Sequence, residues 1–539
     1  MTLLGLALRS HLAGFLATTL IAVLTAFANA LAYGQLAGDT PLERALFARQ
    51  MELVGRQLSY LLPLPSELET LSGFLQWRMF GITALVYGFW ALLAACGAGR
   101  GDEERGLVEA WLATGITRLR WIVARVVAFL CAAALSIALM MAAALAGSML
   151  VEETLSVRAL ALQGVALLAV TAFCFAWSLL VAQLATTRRS AAGIAGVALM
   201  TAFLVNSASR SGGMSDVAWL SPFWLYDRSA TLLRAGTFDA LAVGALAAAT
   251  IVDLTLAVWA FASRDLGASL LRRVPRAGRA VMRPSGDPLL RLPVLAHIDQ
   301  QRWWILGWMA GLAALAFFLT SLTRTMVDAL VAIPSFRVYI ERLGTAGYES
   351  FVAIIWGSTA LLLLSLFAIF QVSSWVADDA EGRLEAVLTQ PVSRARVALE
   401  RVGTLLAGAA LIVAAGALSA WATAARNDIP LSAERFASGS ALMVTVPLAF
   451  GAIGAVLSGW RPRAAVPVLT VVAIASYFIQ QFAPLFSWPA WAEGLSVYSL
   501  YGEPIAKGVE WEGITVLVAL GLGGTGLGLA LFQRRDVGR

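Results

Sequence analysis

Apolar runs of about 20 residues, each long enough to cross the hydrocarbon core of a bilayer as a helix, recur along the chain between short polar stretches. Six lie near Leu12–Leu31, Leu75–Ala98, Trp121–Ala146, Ala159–Ala185, Ala191–Asn206 and Ala240–Ala262. Six more lie near Ile305–Leu322, Phe351–Val376, Val402–Ala424, Ala441–Gly459, Ala464–Phe482 and Thr515–Phe532. The pattern predicts an all-α polytopic membrane protein of twelve transmembrane helices, Ala191–Asn206 being the shortest.

Two passages interrupt this pattern with dense charge: "RGDEERGLVEAWLATGITRLRWIVAR" at Arg100–Arg125 and "VADDAEGRLEAVLTQPVSRARVALER" at Val376–Arg401. At an offset of 276 they share Asp102/Asp378, Gly106/Gly382, Glu109/Glu385, Ala110/Ala386, Leu112/Leu388, Arg118/Arg394, Arg120/Arg396 and Arg125/Arg401. Nearby offsets align Arg189 with Arg463, and "LSPFWLY" (Leu220–Tyr226) with "LSVYSLY" (Leu495–Tyr501). "RSHLAGF" (Arg9–Phe15) echoes "RWWILGW" (Arg302–Trp308). The chain therefore reads as a tandem pair of six-helix units in parallel orientation. Residues 1–263 form the first half, 264–301 a basic cytosolic linker, and 302–539 the second half. Pro275, Pro284, Gly286 and Pro288 sit among the linker's arginines. Both a surface-lying segment and a disordered tether fit that composition.

Each charged passage starts with acids and ends with bases, which suits a helix macrodipole. Val108, Trp111 and Leu112 make an i, i+3, i+4 apolar stripe, matched by Leu384, Val387 and Leu388. A breaker follows, Gly115 or Pro391, and then a capping hydroxyl, Thr117 or Ser393, restarts helix toward the next span. The expected shape is a short helix, a break, an elbow and a span. Such a helix is too polar to cross the membrane. It either lies on the inner headgroups or fits a groove on a cytosolic protein, and its recurrence at matched offsets favours the groove.

Composition agrees with a membrane chain. Of 539 residues, 59% are hydrophobic and 13% charged, against about a quarter charged in soluble proteins, and the mean hydropathy is +0.78. With both termini cytoplasmic, 25 of the 39 Lys and Arg residues lie inside and 19 of the 33 acids outside, so the positive-inside rule gives a multi-pass protein of the cell membrane in that orientation. The net charge of +6 then reflects the membrane surface and lipid, and no nucleic-acid partner is expected. Cys96, Cys131 and Cys174 fall in or beside spans and suggest neither a disulfide framework nor a metal site. No convincing A-x-A cleavage pattern follows the first apolar run, which is expected to be a retained span.

"DDAEGRLEAVLTQPVSRARV" resembles the coupling-helix segment of ABC transporter permeases of the ABC-2 type, an acidic stretch followed by Gly, Glu and Leu and then P-V-S-R. The first half keeps Gly106, Glu109, Leu112 and Arg118 but departs at Arg105, Gly115, Ile116 and Thr117. Twelve spans in one chain further resemble the tandem permeases that export antibiotics and polyketides. The resemblance covers the topology, with a specific motif of about 20 residues in each half. It implies a multidrug exporter of amphipathic small molecules, with Glu103, Glu104, Gly106, Glu109, Leu112 and Arg118 coupling one half to an ATP-binding subunit. In the other half Asp379, Glu381, Gly382, Glu385, Leu388, Pro391 and Arg394 would do the same, giving two copies of the partner per chain. A phosphate-binding loop needs G-x-x-x-x-G-K-[ST], and the sole lysine, Lys507, precedes Gly508. The chain is therefore expected not to be an enzyme by itself and to bind no cofactor, ATP and Mg residing on the partner.

Asp253, within the sixth span, is a candidate for the substrate pathway or a proton relay, because an intramembrane carboxylate is costly. A carboxylate paired between helices is the plainer alternative. Asn206 is a second pathway candidate; Gln183, Gln371, Gln480 and Gln481 read as interhelical or interfacial hydrogen-bonding groups. The 18 tryptophans read mainly as headgroup anchors, and Leu42–Pro65 as an amphipathic helix that either caps the outer mouth or rests on the outer leaflet, the second being favoured. His11 and His297 are too far apart in the chain to suggest a metal site. A proton- or sodium-driven transporter with the same layout is the competing class, although the short G-x-x-x-D-R-x-G-R pattern of the major facilitator group is missing from the first charged loop. A scaffold assembled on an ATPase is a third class, and the chain lacks the paired carboxylates or Ser/His set of an intramembrane enzyme.

Overall fold

A computed structural model describes residues 3–57, 62–210, 215–267, 292–331, 348, 351–352, 356–483 and 488–535. Its twelve long apolar helices match the expected spans one for one. Spans 1 to 6 are Gly5–Leu36, Leu71–Glu104, Arg118–Leu150, Val157–Leu184, Arg188–Arg210 and Ala240–Ser263. Spans 7 to 12 are Arg302–Ser321, Ser358–Ala380, Arg394–Arg426, Ala433–Trp460, Pro462–Phe482 and Trp511–Arg534. Most run a turn or more past the apolar stretch, because capping groups sit beyond its ends. Thr117 and Ser393 accept from the backbone of Arg120 and Arg396, opening spans 3 and 9, while Ser156 and Asp239 cap spans 4 and 6. The proline-rich part of the linker, Pro275–Pro288, lies outside the described residues.

The chain divides into two compact units, Met1–Val281 and Met282–Arg539. In the first, span 1 packs along span 3, and span 4 packs against spans 2 and 6. Its centre is aromatic: Phe129 stacks on Phe175 at 4.2 Å and meets Trp90 at 5.0 Å. In the second, span 7 packs along span 9 and span 10 along span 12. The last pair is close because of small residues: a Cβ at Gly528 would stand 2.7 Å from the Ala455 carbonyl carbon. Close backbone approach is how helices gain packing energy in lipid, where no hydrophobic drive separates them from the solvent.

The segment after span 1 forms a helix, Pro41–Gln57, and it is tied to protein. Phe47 packs into an aromatic group with Tyr33 and Phe74, and Arg44 pairs with Glu153 at 2.6 Å. The two LS-x-x-x-L-Y segments also take one form. Ser221 and Ser496 precede the short helices Pro222–Asp227 and Val497–Tyr501, and their hydroxyls donate to the carbonyls of Ala202 and Ser476. Tyr226 and Tyr501, the last tyrosine of each segment, donate to the carbonyls of Phe80 and Gly439. Burial raises both phenols above their ordinary range, so they remain donors.

Candidate functional site

The charged passages fold as the residue pattern predicts. Span 2 ends at Glu104, and Gly106 turns the chain with φ +67° into the helix Leu107–Leu112. Span 8 ends at Ala380, and Gly382 does the same with φ +71° into Arg383–Leu388. Left-handed backbone of this kind disfavours a Cβ, which explains glycine at both positions. Each short helix is pinned by one buried residue, Val108 or Leu384. The rest of the apolar stripe is only partly covered: Trp111, Leu112 and Leu388 are half-buried, and Val387 is exposed.

Side-chain geometry divides the candidate residues into two groups. One group faces inward and holds the unit together. Glu103 is buried and pairs with Arg264 at the end of span 6 and, at 2.9 Å, with Arg100. Arg264 also donates to Gln183 on span 4 at 3.0 Å. Glu104 accepts at 2.7 Å from the Arg188 amide, which opens span 5. Arg118 donates to the carbonyl oxygens of Phe261, Ala262 and Arg264 at 3.4, 3.3 and 2.5 Å, satisfying the free C-terminal end of span 6.

The second unit repeats this wiring with its own residues. Arg394 donates to the carbonyls of Phe532, Gln533 and Arg535 at 3.3, 3.1 and 2.6 Å, closing the end of span 12. Asp379 pairs with Arg535 at 2.5 Å, and Arg535 donates to the Ser458 carbonyl at 2.9 Å. Spans 2 to 6 are thus locked at one end of the first unit, and spans 8, 9, 10 and 12 at the corresponding end of the second.

A second pair differs in tightness. Asp102 meets Arg125 at 2.7 Å with side chains 3% and 2% exposed, whereas Asp378 meets Arg401 at 3.6 Å with side chains 37% and 17% exposed. Arg125 also donates to Ser10 at 2.5 Å and lies 4.5 Å over the Trp121 ring.

The other group faces outward. Glu109 and Glu385 are exposed, and neither side-chain carboxylate has an ion pair or hydrogen bond among the described residues. Glu381 is exposed and pairs with Arg383 at 3.0 Å; Pro391 is exposed in the break. Two short helices thus present a free carboxylate at the same place, each on a braced base.

The pathway candidates separate likewise. Asn206 is buried and donates to Asp227 at 2.8 Å, where Arg210 also binds at 2.5 Å, so it belongs to a polar cluster at the end of span 5. Asp253 is half-buried, midway along span 6, and its carboxylate has no hydrogen bond or ion pair among the described residues.

Arg264 and Arg535 were not singled out by the sequence pattern, although they complete the locks. The signal was present: "FASR" ends span 6 and "FQRR" ends span 12, so that an arginine follows Phe261 and Phe532 by three positions in both.

Residues 290–533, most of the second unit, match the family model described as multidrug efflux system permease Rv1217c, C-terminal domain. That match supports a permease role in efflux. Twelve apolar helices together with it support a multi-pass membrane protein. No curated protein matches the chain.

Proposed function

We propose that this chain is the membrane subunit of an ATP-driven exporter of the ABC-2 type, moving hydrophobic or amphipathic compounds such as drugs. Nucleotide-binding subunits, which hold ATP and Mg, dock on the helices Leu107–Leu112 and Arg383–Leu388 from the cytosol. The observation that carries this reading is the pairing of a free, exposed carboxylate with a braced base, once in each unit. A short helix hinged on a flexible loop would absorb a push. Here Val108 or Leu384 seats the helix, the glycine turn joins it to span 2 or 8, and Arg118 or Arg394 ties the following span to the last one. Displacing either helix therefore moves several spans together, which a transporter driven from outside its own chain requires.

A proton- or sodium-driven transporter is the second reading, favoured by Asp253, a mid-span carboxylate with no partner among the described residues. Reconstituted vesicles separate the two. Efflux of an amphipathic dye is expected to require ATP and the partner subunit, to resist an uncoupler, and to persist in Asp253→Asn. Dye movement by the chain alone, abolished both by an uncoupler and by Asp253→Asn, would establish the second reading instead.

A further inference from the structure

We propose that the second unit holds, beside its short helix, a binding site for an uncharged planar aromatic compound, seated on Arg401 between Val387, Val397 and Trp375. These residues line a cavity of about 240 Å³. The first unit has a matching glycine turn and short helix there, with larger side chains at two of the lining positions. At the positions matching Val387 and Val397 stand Trp111 and Trp121, with ring centroids 6.4 Å apart. The Arg125 guanidinium lies over the Trp121 ring. In the second unit both indoles are replaced by valine, the Arg401–Asp378 pair is looser, and the Arg401 side chain makes no hydrogen bond among the described residues.

What is missing around Arg401 defines what fits. A guanidinium face attracts the face of an aromatic ring; the ring that lies over Arg125 is absent at the matching Val397, while Trp375, where the first unit has Gly99, stands elsewhere in the wall. The space suits a fused bicycle, since an apolar cavity of roughly 150 Å³ takes benzene. Asp378 and Glu400 balance Arg383 and Arg401 in the wall, so a net charge on the ligand gains nothing. Gln301 and Gln371, bonded to each other at 2.8 Å, supply polar groups for the ring edge. Trp375, Leu384, Val387 and Val397 form the apolar part of the wall, and the other lining residues are polar or charged. As a cargo site the cavity rests on the efflux reading; as a ligand site it does not.

Indole, the ring that Trp121 contributes in the first unit, is the probe. Titrated into purified full-length chain in nanodiscs without nucleotide, it is expected to bind saturably with one site per chain. Val397→Trp, which rebuilds the plug, should weaken binding at least tenfold. Arg401→Lys keeps the charge but loses the flat face and should weaken it at least fivefold, a readout that stands even where the tryptophan variant fails to fold. Uptake that never saturates, or equal binding by all three chains, overturns the proposal. Transport plays no part in this readout, so its failure leaves the efflux reading untouched.

Discussion

Asp102→Ala destabilises the purified chain far more than Asp378→Ala does, although the two residues are equivalent in sequence. Removing Asp102 strands Arg125, a buried cation whose remaining polar contact is the Ser10 hydroxyl. Breaking one side of a buried pair costs about 3–5 kcal/mol. Asp378 is partly exposed and 3.6 Å from an Arg401 that also reaches the cavity, so its loss is closer to a surface pair, about 1 kcal/mol or less. Thermal unfolding of the two variants in one detergent reads the difference. Equal shifts in melting temperature would show that the two bases are equally tight.

The second large effect is on coupling and leaves the fold intact. Glu109→Arg and Glu385→Arg alter exposed side chains that bond to nothing else among the described residues, and surface changes of that kind stay within about 0.5 kcal/mol. Reversing charge in a contact with a partner is another matter, because like charges brought together at an interface cost several kcal/mol. Each variant is expected to keep its melting temperature and lose at least tenfold of the partner's transport-stimulated ATP hydrolysis. The size of the loss also tests whether the two helices contribute unequally, as the departures at Arg105, Gly115, Ile116 and Thr117 suggest. Unchanged hydrolysis in the double variant would remove these carboxylates from the docking surface.

The twelve spans were legible because hydrocarbon thickness imposes one length on every crossing helix, and even Ala191–Asn206 sits inside a 23-residue helix. The glycine turns and capping hydroxyls were legible too, since each answers a local backbone requirement. Long-range wiring was not. Glu103 and Glu109 look alike in sequence, yet one is buried against Arg264 and the other is free, and only the packing of span 6 against its neighbours decides which. The cavity beside Arg401 was hidden for a related reason. Valine for tryptophan reads as one apolar residue for another in a hydrophobic pattern, while in the packed unit the ring over the arginine is gone and the ion pair beside it is longer.

The most direct measurement places a photo-reactive amino acid at position 109 and, separately, at position 385, and identifies what each captures in intact cells. The account predicts that both positions capture an ATP-binding subunit, and that capture changes when ATP hydrolysis is arrested. Capture of lipid alone at both positions, or reaction with a membrane-impermeant reagent added outside the cell, would contradict it.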